Sequence, residues 1–272
     1  MVLFNKVKSF LTFALVLFLG FIPHYTKAES KQITACYDGW EPFYYANSEH
    51  EAGGIVVTLL NEIARETGYE IEYRLLPFKR CMKQVSQGKI DILMVTGFTT
   101  DVLMGRTSLV TWQIGAIVRK DYPKNHITDL SEFKGKKVLQ VQEYEYPEII
   151  RDFAPYWRVS KVGYFNGDDL DVVPHAFSMV ENGQVVTFLE DIIFSEKIIK
   201  DNDLDLKVLK PAVAFEKNYL AYALGREELY VKFENALRAR AEDGRLDQFY
   251  KDTLGQSWSE LGNEVDSDSK LF

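Results

Sequence analysis

The side chains that could do chemistry are few in this chain of 272 residues, and their spacing fits no catalytic or metal-binding pattern. The two cysteines are Cys36 and Cys81, and the four histidines are scattered at positions 24, 50, 126 and 175. Neither type has the close spacing of a zinc site or the partners of a triad. Gly53-Gly54 lacks the rest of a phosphate-binding loop. We therefore expect no metal, no cofactor and no catalytic residue.

Polar and aromatic residues instead gather directly after predicted strands. Trp40 lies in a turn-rich segment after the first strand, and residues 96–100 form a polar loop after the third. The acidic pair Glu190-Asp191 directly follows another apolar strand. Because ligands bind beyond the carboxyl ends of the strands in open α/β sheets, we expect a ligand to bind at the segments that follow the first three strands.

Alternating strands and helices are predicted to position the first of these segments. Residues 55–67 place Val56, Leu59 and Ile63 on one helical face and stop before Gly68, a typical C-terminal glycine. A second helix runs from Pro77 to Gly88, and the predicted strands cover residues 33–37, 69–75 and 90–95. This βαβαβ order predicts a parallel sheet with right-handed crossovers.

A second α/β unit is predicted to begin near residue 120, where charged residues and a proline interrupt the apolar pattern. Its predicted strands are residues 137–141 and 185–189, and its predicted helices are residues 170–182 and 192–200. A strand at residues 219–224 and helices at 227–242 and 245–253 follow. The polar tail from Gly255 is expected to fray.

The first 28 residues have the composition of a secretory signal peptide. Lys6 and Lys8 precede an uncharged apolar run at residues 10–22, and Thr26-Lys27-Ala28 fits a signal-peptidase site. The run is shorter than the roughly 20 residues that a spanning helix needs. We therefore expect a mature protein of about 244 residues that starts near Glu29, spans no membrane and works in the periplasm.

Composition and compartment constrain partners and cysteines. Loss of the three leader lysines takes the net charge from −8 to −11, which argues against a nucleic-acid partner or an anionic membrane surface. Two cysteines in an oxidising compartment usually pair, so we predict a disulfide between Cys36 and Cys81. The alternative is two buried free thiols.

The order of several short segments resembles family 3 of the periplasmic solute-binding proteins, the polar-amino-acid type served by ABC importers. The segments are Trp40-Glu41-Pro42-Phe43, the helix closed by Gly68, Gly88-Lys89-Ile90-Asp91, Gly135-Lys136-Lys137-Val138, Gly183-Gln184-Val185 with Glu190-Asp191, and Gly244-Arg245-Leu246-Asp247. The resemblance implies a two-lobed (type II) α/β fold, each lobe a mostly parallel sheet flanked by helices, with two hinge crossovers. It implies a first lobe at residues 29–119, a second at 120–215, and a return to the first at 216–272.

The resemblance also implies which residues bind the ligand. Trp40 and Phe78 match the family's stacking aromatics, and Asp191 matches the acid that receives a ligand α-ammonium group. The alternative is that Glu190 or Asp191 caps the helix that follows. The loops after the third strand and in the second lobe complete the predicted set: Thr96, Gly97 and Phe98, then Gln142, Glu143 and Tyr144, with Tyr146 a weaker candidate.

One departure from the family puts its usual ligand in doubt. Amino-acid binders have Thr-x-x-Arg after the third strand, and this chain has Thr100-Asp101-Val102-Leu103, so the arginine that would clamp an α-carboxylate is missing. Arg80 is predicted to replace it, with Arg106 as the alternative. A solvated helix residue is the competing interpretation of Arg80.

These features predict a monomeric, non-enzymatic protein that closes on a small polar, amino-acid-like solute for an ABC permease or a membrane sensor. One alternative is an enzyme like the periplasmic cyclohexadienyl dehydratase that shares the fold, with Glu143 or Glu190 as a general acid. Another is a sensor or interaction module whose cleft is empty.

Overall fold

The computed structural model describes residues 30–47, 49–97, 99–142, 144–163 and 172–266. The predicted signal peptide and the predicted ligand-binding residues Phe98 and Glu143 lie outside the described residues. Within these ranges, no helix combines the length and the apolar character needed to cross a lipid bilayer.

Parallel strands and two helices build the first half of the structure, in the predicted order. The elements are β1 (Lys31–Tyr37), the small hairpin β2 (Tyr45–Ala46) and β3 (Ala52–Gly53), α1 (Ile55–Thr67), β4 (Tyr69–Leu75), α2 (Phe78–Ser86) and β5 (Ile92–Thr96). β1 pairs in parallel with both β4 and β5. α1 buries its predicted apolar face and ends at Gly68, whose φ of 81° is left-handed and whose N–H donates to the Ala64 carbonyl.

A second parallel group forms the other half. β8 (Lys137–Val141) lies between β9 (Arg158–Val162) and β10 (Thr187–Asp191) and pairs with both in parallel. The helices here are α3 (Glu148–Phe153), α4 (Val172–Glu181) and α5 (Ile192–Asp201). The sequence predicted β8, β10, α4 and α5 and missed β9, which has only five residues and three exposed side chains.

Two long strands join the halves into one sheet. Residues 219–222 of β11 (Leu206–Tyr222) pair with β5, and residues 206–218 pair antiparallel with β7 (Val110–Arg119). β7 also pairs with β10. The resulting order is β4-β1-β5-β11-β7-β10-β8-β9, and β6 (Leu103–Met104) pairs with β11 outside this path. The sequence analysis predicted only the last part of β11 and did not predict β7.

Each half has its own buried core. Val56, Tyr222 and Phe233 belong to the first-half core, together with the inner faces of α6 (Glu227–Glu242) and α7 (Arg245–Leu254). Ile114 and Leu189 belong to second-half clusters that lie against the other strands. Two cores on one shared sheet confirm the predicted two-lobed α/β fold.

The tail after Gly255 is packed, and the prediction that it frays is wrong as far as Asp266. Trp258 and Leu261 are buried in the first-half core, and Trp258 Nε1 donates to the Ser108 carbonyl at 2.7 Å. Val265 bridges Thr107. Two apolar side chains three residues apart suffice to hold this segment, because burying each large side chain contributes about 1.5–3 kcal/mol.

The predicted disulfide is confirmed. Cys36, near the end of β1, is bonded to Cys81 on α2 with their Cα atoms 5.8 Å apart. Both residues are fully buried. The bond ties the strand that precedes Trp40 to the helix that carries Phe78.

Candidate functional site

A cavity of about 140 Å³ lies where the two cores face each other, at the carboxyl ends of β1, β5 and β8. Tyr44 and Val95 belong to the first-half core, and Trp112 belongs to a second-half core. The residues that line it are Asp38, Trp40, Tyr44, Phe78, Met82, Val95, Thr96, Gly97, Thr99, Trp112, Tyr144, Glu145, Glu190, Glu216 and Asn218. This is the position at which α/β sheets bind ligands.

Aromatic rings form a continuous wall of the cavity. Trp40 contacts the edges of Tyr44 and Trp112, with ring centroids 6.0 Å and 6.4 Å away. Trp112 in turn meets Tyr144 at 5.4 Å in a T-shaped arrangement. Trp40 packs against the core clusters of both halves, so this one side chain spans the boundary between them.

Four carboxyl groups share the cavity with these rings: Asp38, Glu145, Glu190 and Glu216. Among the lining residues that the structure describes, none is arginine, lysine or histidine. Burial raises the pKa of Asp38 to about 7, against the lowering effect of the Asp38 and Gly39 backbone N–H groups. Burial, and then the charge of Glu145, raise the pKa of Glu216, and Arg151 lowers it by less.

Burial and the negative charge of these carboxylates also raise the pKa values of the tyrosines in the wall. Burial raises the pKa of the Tyr44 phenol well above its usual value, and the charges of Asp38 and Glu190 raise it further. Burial and the charges of Glu190 and Asp38 act in the same direction on the pKa of Tyr144. The interior of the cavity is therefore electronegative.

A β-bulge shapes the loop after β5. Leu93 pairs with Ala221 and Thr96 pairs with Tyr219, so β5 has one more residue than β11 between these pairs. Within the bulge, Val95 has a φ of 42°, which is rare for a β-branched side chain. Bulges redirect side chains next to functional sites, and here Val95, Thr96 and Gly97 all line the cavity.

Gly97 and Glu216 approach each other closely across this wall. A methyl group at Gly97 would overlap the present position of the Glu216 carboxylate, so a larger residue here would require the Glu216 side chain to shift. Glu216 is held on β11 directly opposite Trp112 of β7. β7 and β11, which the sequence analysis did not predict in this region, therefore place the Trp112 indole and the Glu216 carboxylate on the same wall of the cavity.

Five of the predicted ligand-binding residues line the cavity: Trp40, Phe78, Thr96, Gly97 and Tyr144. Gln142 and Arg80 are exposed and do not line it. Tyr146 is buried, with its hydroxyl accepting from Val141 N at 2.9 Å and donating to the Leu189 carbonyl at 3.0 Å. Tyr146 therefore fixes β8 to β10 and is not part of the cavity wall.

Asp191 is also absent from the wall, and its two oxygens hold protein N–H groups. Oδ1 accepts from Phe194 N at 2.9 Å and caps α5, and Oδ2 accepts from Gln113 N at 3.1 Å. Burial raises the pKa of Asp191 to about 6, and these N–H groups and the Trp40 indole lower it. The cap of α5 accounts for one oxygen and the contact with β7 for the other. Of the pair Glu190-Asp191, Glu190 is the acid that lines the cavity.

Neither candidate for the missing arginine reaches the cavity. Leu103 occupies the family's arginine position on β6. Arg106 lies close to Glu234, and its backbone N–H donates to Glu234 Oε2 at 2.8 Å. Burial raises the pKa of Glu234, and the N–H and the charge of Arg106 oppose this rise. Arg80 is exposed on α2.

The sequence analysis missed several lining residues as members of the site. Asp38 directly follows β1 and Glu145 lies shortly after β8, so the carboxyl-end rule could have found both. Trp112 and Glu216 required the pairing of β7 with β11, which no local pattern contains. Glu190 was considered as a helix cap or a general acid, and Asp191 was favoured as the acid that faces the ligand.

Comparison with known families finds one match that covers most of the chain. The sequence model of the bacterial extracellular solute-binding proteins, family 3, matches residues 33–256. A comparison with curated protein sequences gives no match.

Solved structures with a similar fold include binding proteins and a sensor. An ancestral arginine-binding protein bound to glutamine has a TM-score of 0.67 at 22% identity, covering 83% of this chain and 98% of its own. A histidine kinase sensor domain with similarity to periplasmic binding proteins has a TM-score of 0.67 at 17% identity; the match covers 84% of this chain and 98% of the sensor domain. A histidine-bound ABC uptake transporter substrate-binding protein from Streptococcus pneumoniae has a TM-score of 0.66 at 13% identity; the match covers 83% of this chain and 93% of that protein. At these identities the likeness concerns the fold.

Proposed function

The chain belongs to family 3 of the bacterial extracellular solute-binding proteins, and we propose that it binds one small polar solute in the cavity beside Trp40. The observation that carries this proposal is that both halves of the structure contribute residues to the lining of the cavity. β1 and β5 supply one side of the cavity, and β7, β8 and β10 supply the other. A solute bound there would contact both halves and favour the closed arrangement over the open one.

We propose that the halves move about the two strands that join them. Val110 and Leu220 belong to the first-half core, whereas Trp112 and Ala214 belong to the second. The chain therefore passes from one half to the other near the start of β7 and near residues 218–219 of β11. On β7 this position is earlier than residue 120, the lobe boundary that the sequence favoured.

The function proposed is recognition without catalysis. The lining side chains in the described ranges include no serine, cysteine or histidine that could act as a nucleophile or its base. Glu190 shares the cavity with Asp38, Glu145 and Glu216, and we assign all four acids to ligand recognition because the matched family consists of solute-binding proteins. We propose that the protein, after removal of its signal peptide, works as a monomer in the periplasm and presents the solute to an ABC permease or a membrane sensor.

A ligand screen tests this proposal. The mature protein would be heated with amino acids, amines, small carboxylates, sugars and short peptides, each in large excess. A solute at 100 times its dissociation constant stabilises the native state by about 2.7 kcal/mol, which corresponds to roughly 5–10 °C for a protein of this size. Failure of every compound to raise the melting temperature would favour the empty-cleft alternative.

Tryptophan fluorescence locates the binding event. Trp40 and Trp112 line the cavity, whereas Trp157 and Trp258 are buried in the cores. A solute in the cavity should change the emission of the wild type and of a Trp157→Phe variant equally. The change should be much smaller in a Trp40→Phe/Trp112→Phe double variant, which lacks both cavity indoles. An undiminished change in that double variant would show that the solute binds elsewhere.

A further inference from the structure

The charge of the cavity limits what it can hold. Its described wall carries four carboxyl groups, Asp38, Glu145, Glu190 and Glu216, and no basic side chain. Arg151 lowers the pKa of Glu216, but its effect is smaller than the opposing effect of Glu145. Arg151 itself is exposed and does not line the wall. A solute carboxylate placed here would meet like charges without an arginine to bind it.

The aromatic wall has the opposite preference. Faces of tryptophan and tyrosine attract cations, most strongly where water is excluded. Trp40, Trp112 and Tyr144 form a connected set of rings beside the acids. An alkylammonium group between these rings and the carboxylates would satisfy both, with its apolar stem against Phe78 and Met82, which also line the cavity.

Two of the acids, Asp38 and Glu216, have raised pKa values. Burial is the largest influence on the pKa of Asp38, and only backbone N–H groups oppose it. The same desolvation raises the pKa of Glu216. A bound cation would reverse both effects, since an opposite charge within about 4–6 Å favours the ionised carboxylate.

The arrangement of the acids favours an organic cation over a metal ion. Metal sites require several ligand atoms within about 2.0–2.6 Å of one point. In the described part of the chain, no group of three or more histidine, cysteine, aspartate or glutamate residues converges in this way. The carboxyl groups are instead distributed around a wall rich in rings.

On the premise that the cavity is the solute site, we propose that its solute is a small organic cation without a carboxylate, such as a primary amine. The absence of the carboxylate-clamping arginine, with Leu103 in its place, then reflects a ligand that has nothing to clamp. The four acids and the aromatic wall replace that contact by recognising the positive charge.

Matched pairs of amines and amino acids test this inference in the wild-type protein. Agmatine with arginine, cadaverine with lysine, and histamine with histidine differ by one carboxylate each. Titration calorimetry at pH 8 should find at least one amine that binds ten times more tightly than its parent amino acid. Choline and glycine betaine extend the comparison to quaternary cations, and calcium chloride alone tests the metal alternative.

Variants link the affinity to the acids. Glu216→Gln keeps the shape of the side chain and should weaken binding of the best amine at least tenfold. Glu72→Gln is the matched control, because Glu72 lies on the edge strand β4 with a side chain 52% exposed, paired with Arg74. Its affinity should stay within twofold of the wild type. Asp38→Asn provides a second cavity variant, independent of whether Glu216→Gln folds.

The outcomes separate this inference from the proposed function. An amino acid, a sugar or a carboxylate that binds as tightly as any amine would overturn the cation inference and leave solute binding intact. Tight calcium binding that excludes amines would also overturn it. Absence of binding by every compound would refute both. Tighter amine binding that Glu216→Gln abolishes would establish the cation class.

Discussion

Asp38→Asn should stabilise the protein without solute, and increasingly so as the pH rises. The pKa of the Asp38 carboxyl is raised from 3.8 to about 7, chiefly because burial disfavours its charged form. The folded state therefore holds the proton more tightly than the unfolded state. Below pH 3.8 the Asp38 carboxyl is protonated in both states and does not change the free energy of unfolding. Between pH 4 and 7 the unfolded state ionises first, so the free energy of unfolding falls; above pH 7 the full penalty is present.

The size of this penalty follows from the shift. One pKa unit corresponds to 1.36 kcal/mol, so a shift of about three units gives an upper limit of about 4 kcal/mol above pH 7. At pH 5 the same shift gives only about 1.7 kcal/mol. Asparagine removes the charge and keeps an oxygen that can accept a backbone N–H. The variant should therefore exceed the wild type in stability at both pH values, and by more at pH 8.

Urea unfolding at pH 5 and pH 8 measures this difference directly. Asp205→Asn is the control, because the Asp205 side chain is 73% exposed and its contact with Lys120 is long at 3.7 Å. Its stability should match that of the wild type at both pH values, since such surface pairs contribute little. An Asp38→Asn variant that is no more stable than the wild type at pH 8 would refute the assignment of Asp38 as a buried acid awaiting a counter-charge.

Three further predictions concern the disulfide, an ion pair between the halves, and the tail. Replacing Cys36 and Cys81 by serine should lower the free energy of unfolding by about 4 kcal/mol for a 45-residue separation; reduction of the wild type should reproduce the effect, and unchanged urea curves would contradict it. Lys197 on α5 pairs with Glu41 of the other half at 3.3 Å, so Lys197→Met should raise the dissociation constant by up to about fivefold at low salt. The difference should vanish in 1 M salt, and a loss that persists there would exclude an electrostatic cause. Trp258→Ala should cost about 3–5 kcal/mol of stability by removing a buried indole, whereas a cost below 1 kcal/mol would mean that the tail contributes nothing to the core.

Local patterns sufficed for the elements whose faces are sharply divided. α1 and β4 have the predicted bounds, because a helical stripe with a closing glycine and a strict strand alternation are both local properties. β11 alternates only partly and contains Lys210-Pro211, so its 17 residues did not read as one strand. β7 is almost continuously buried and has no turn residues that mark its start.

The site was predictable only where it follows a predicted strand. Trp40 and Thr96 come directly after strands that the sequence identified, and both line the cavity. Glu216 and Trp112 lie more than 100 positions apart in sequence and meet only because β7 pairs with β11. The role of Asp191 was not predictable from its position. An acid at the start of a helix can cap the helix or face a ligand, and sequence position alone does not distinguish these roles.

A crystal structure of the mature protein with its tightest-binding amine tests the central claim most directly. We expect density for the solute in the cavity, with its ammonium nitrogen about 2.7–3.2 Å from the carboxylate of Glu216, Glu190 or Asp38. We also expect the rings of Trp40 and Trp112 beside the ammonium group, with Phe78 and Met82 against its apolar stem. Solute density outside this cavity, or an ammonium group that contacts none of these acids, would contradict the account.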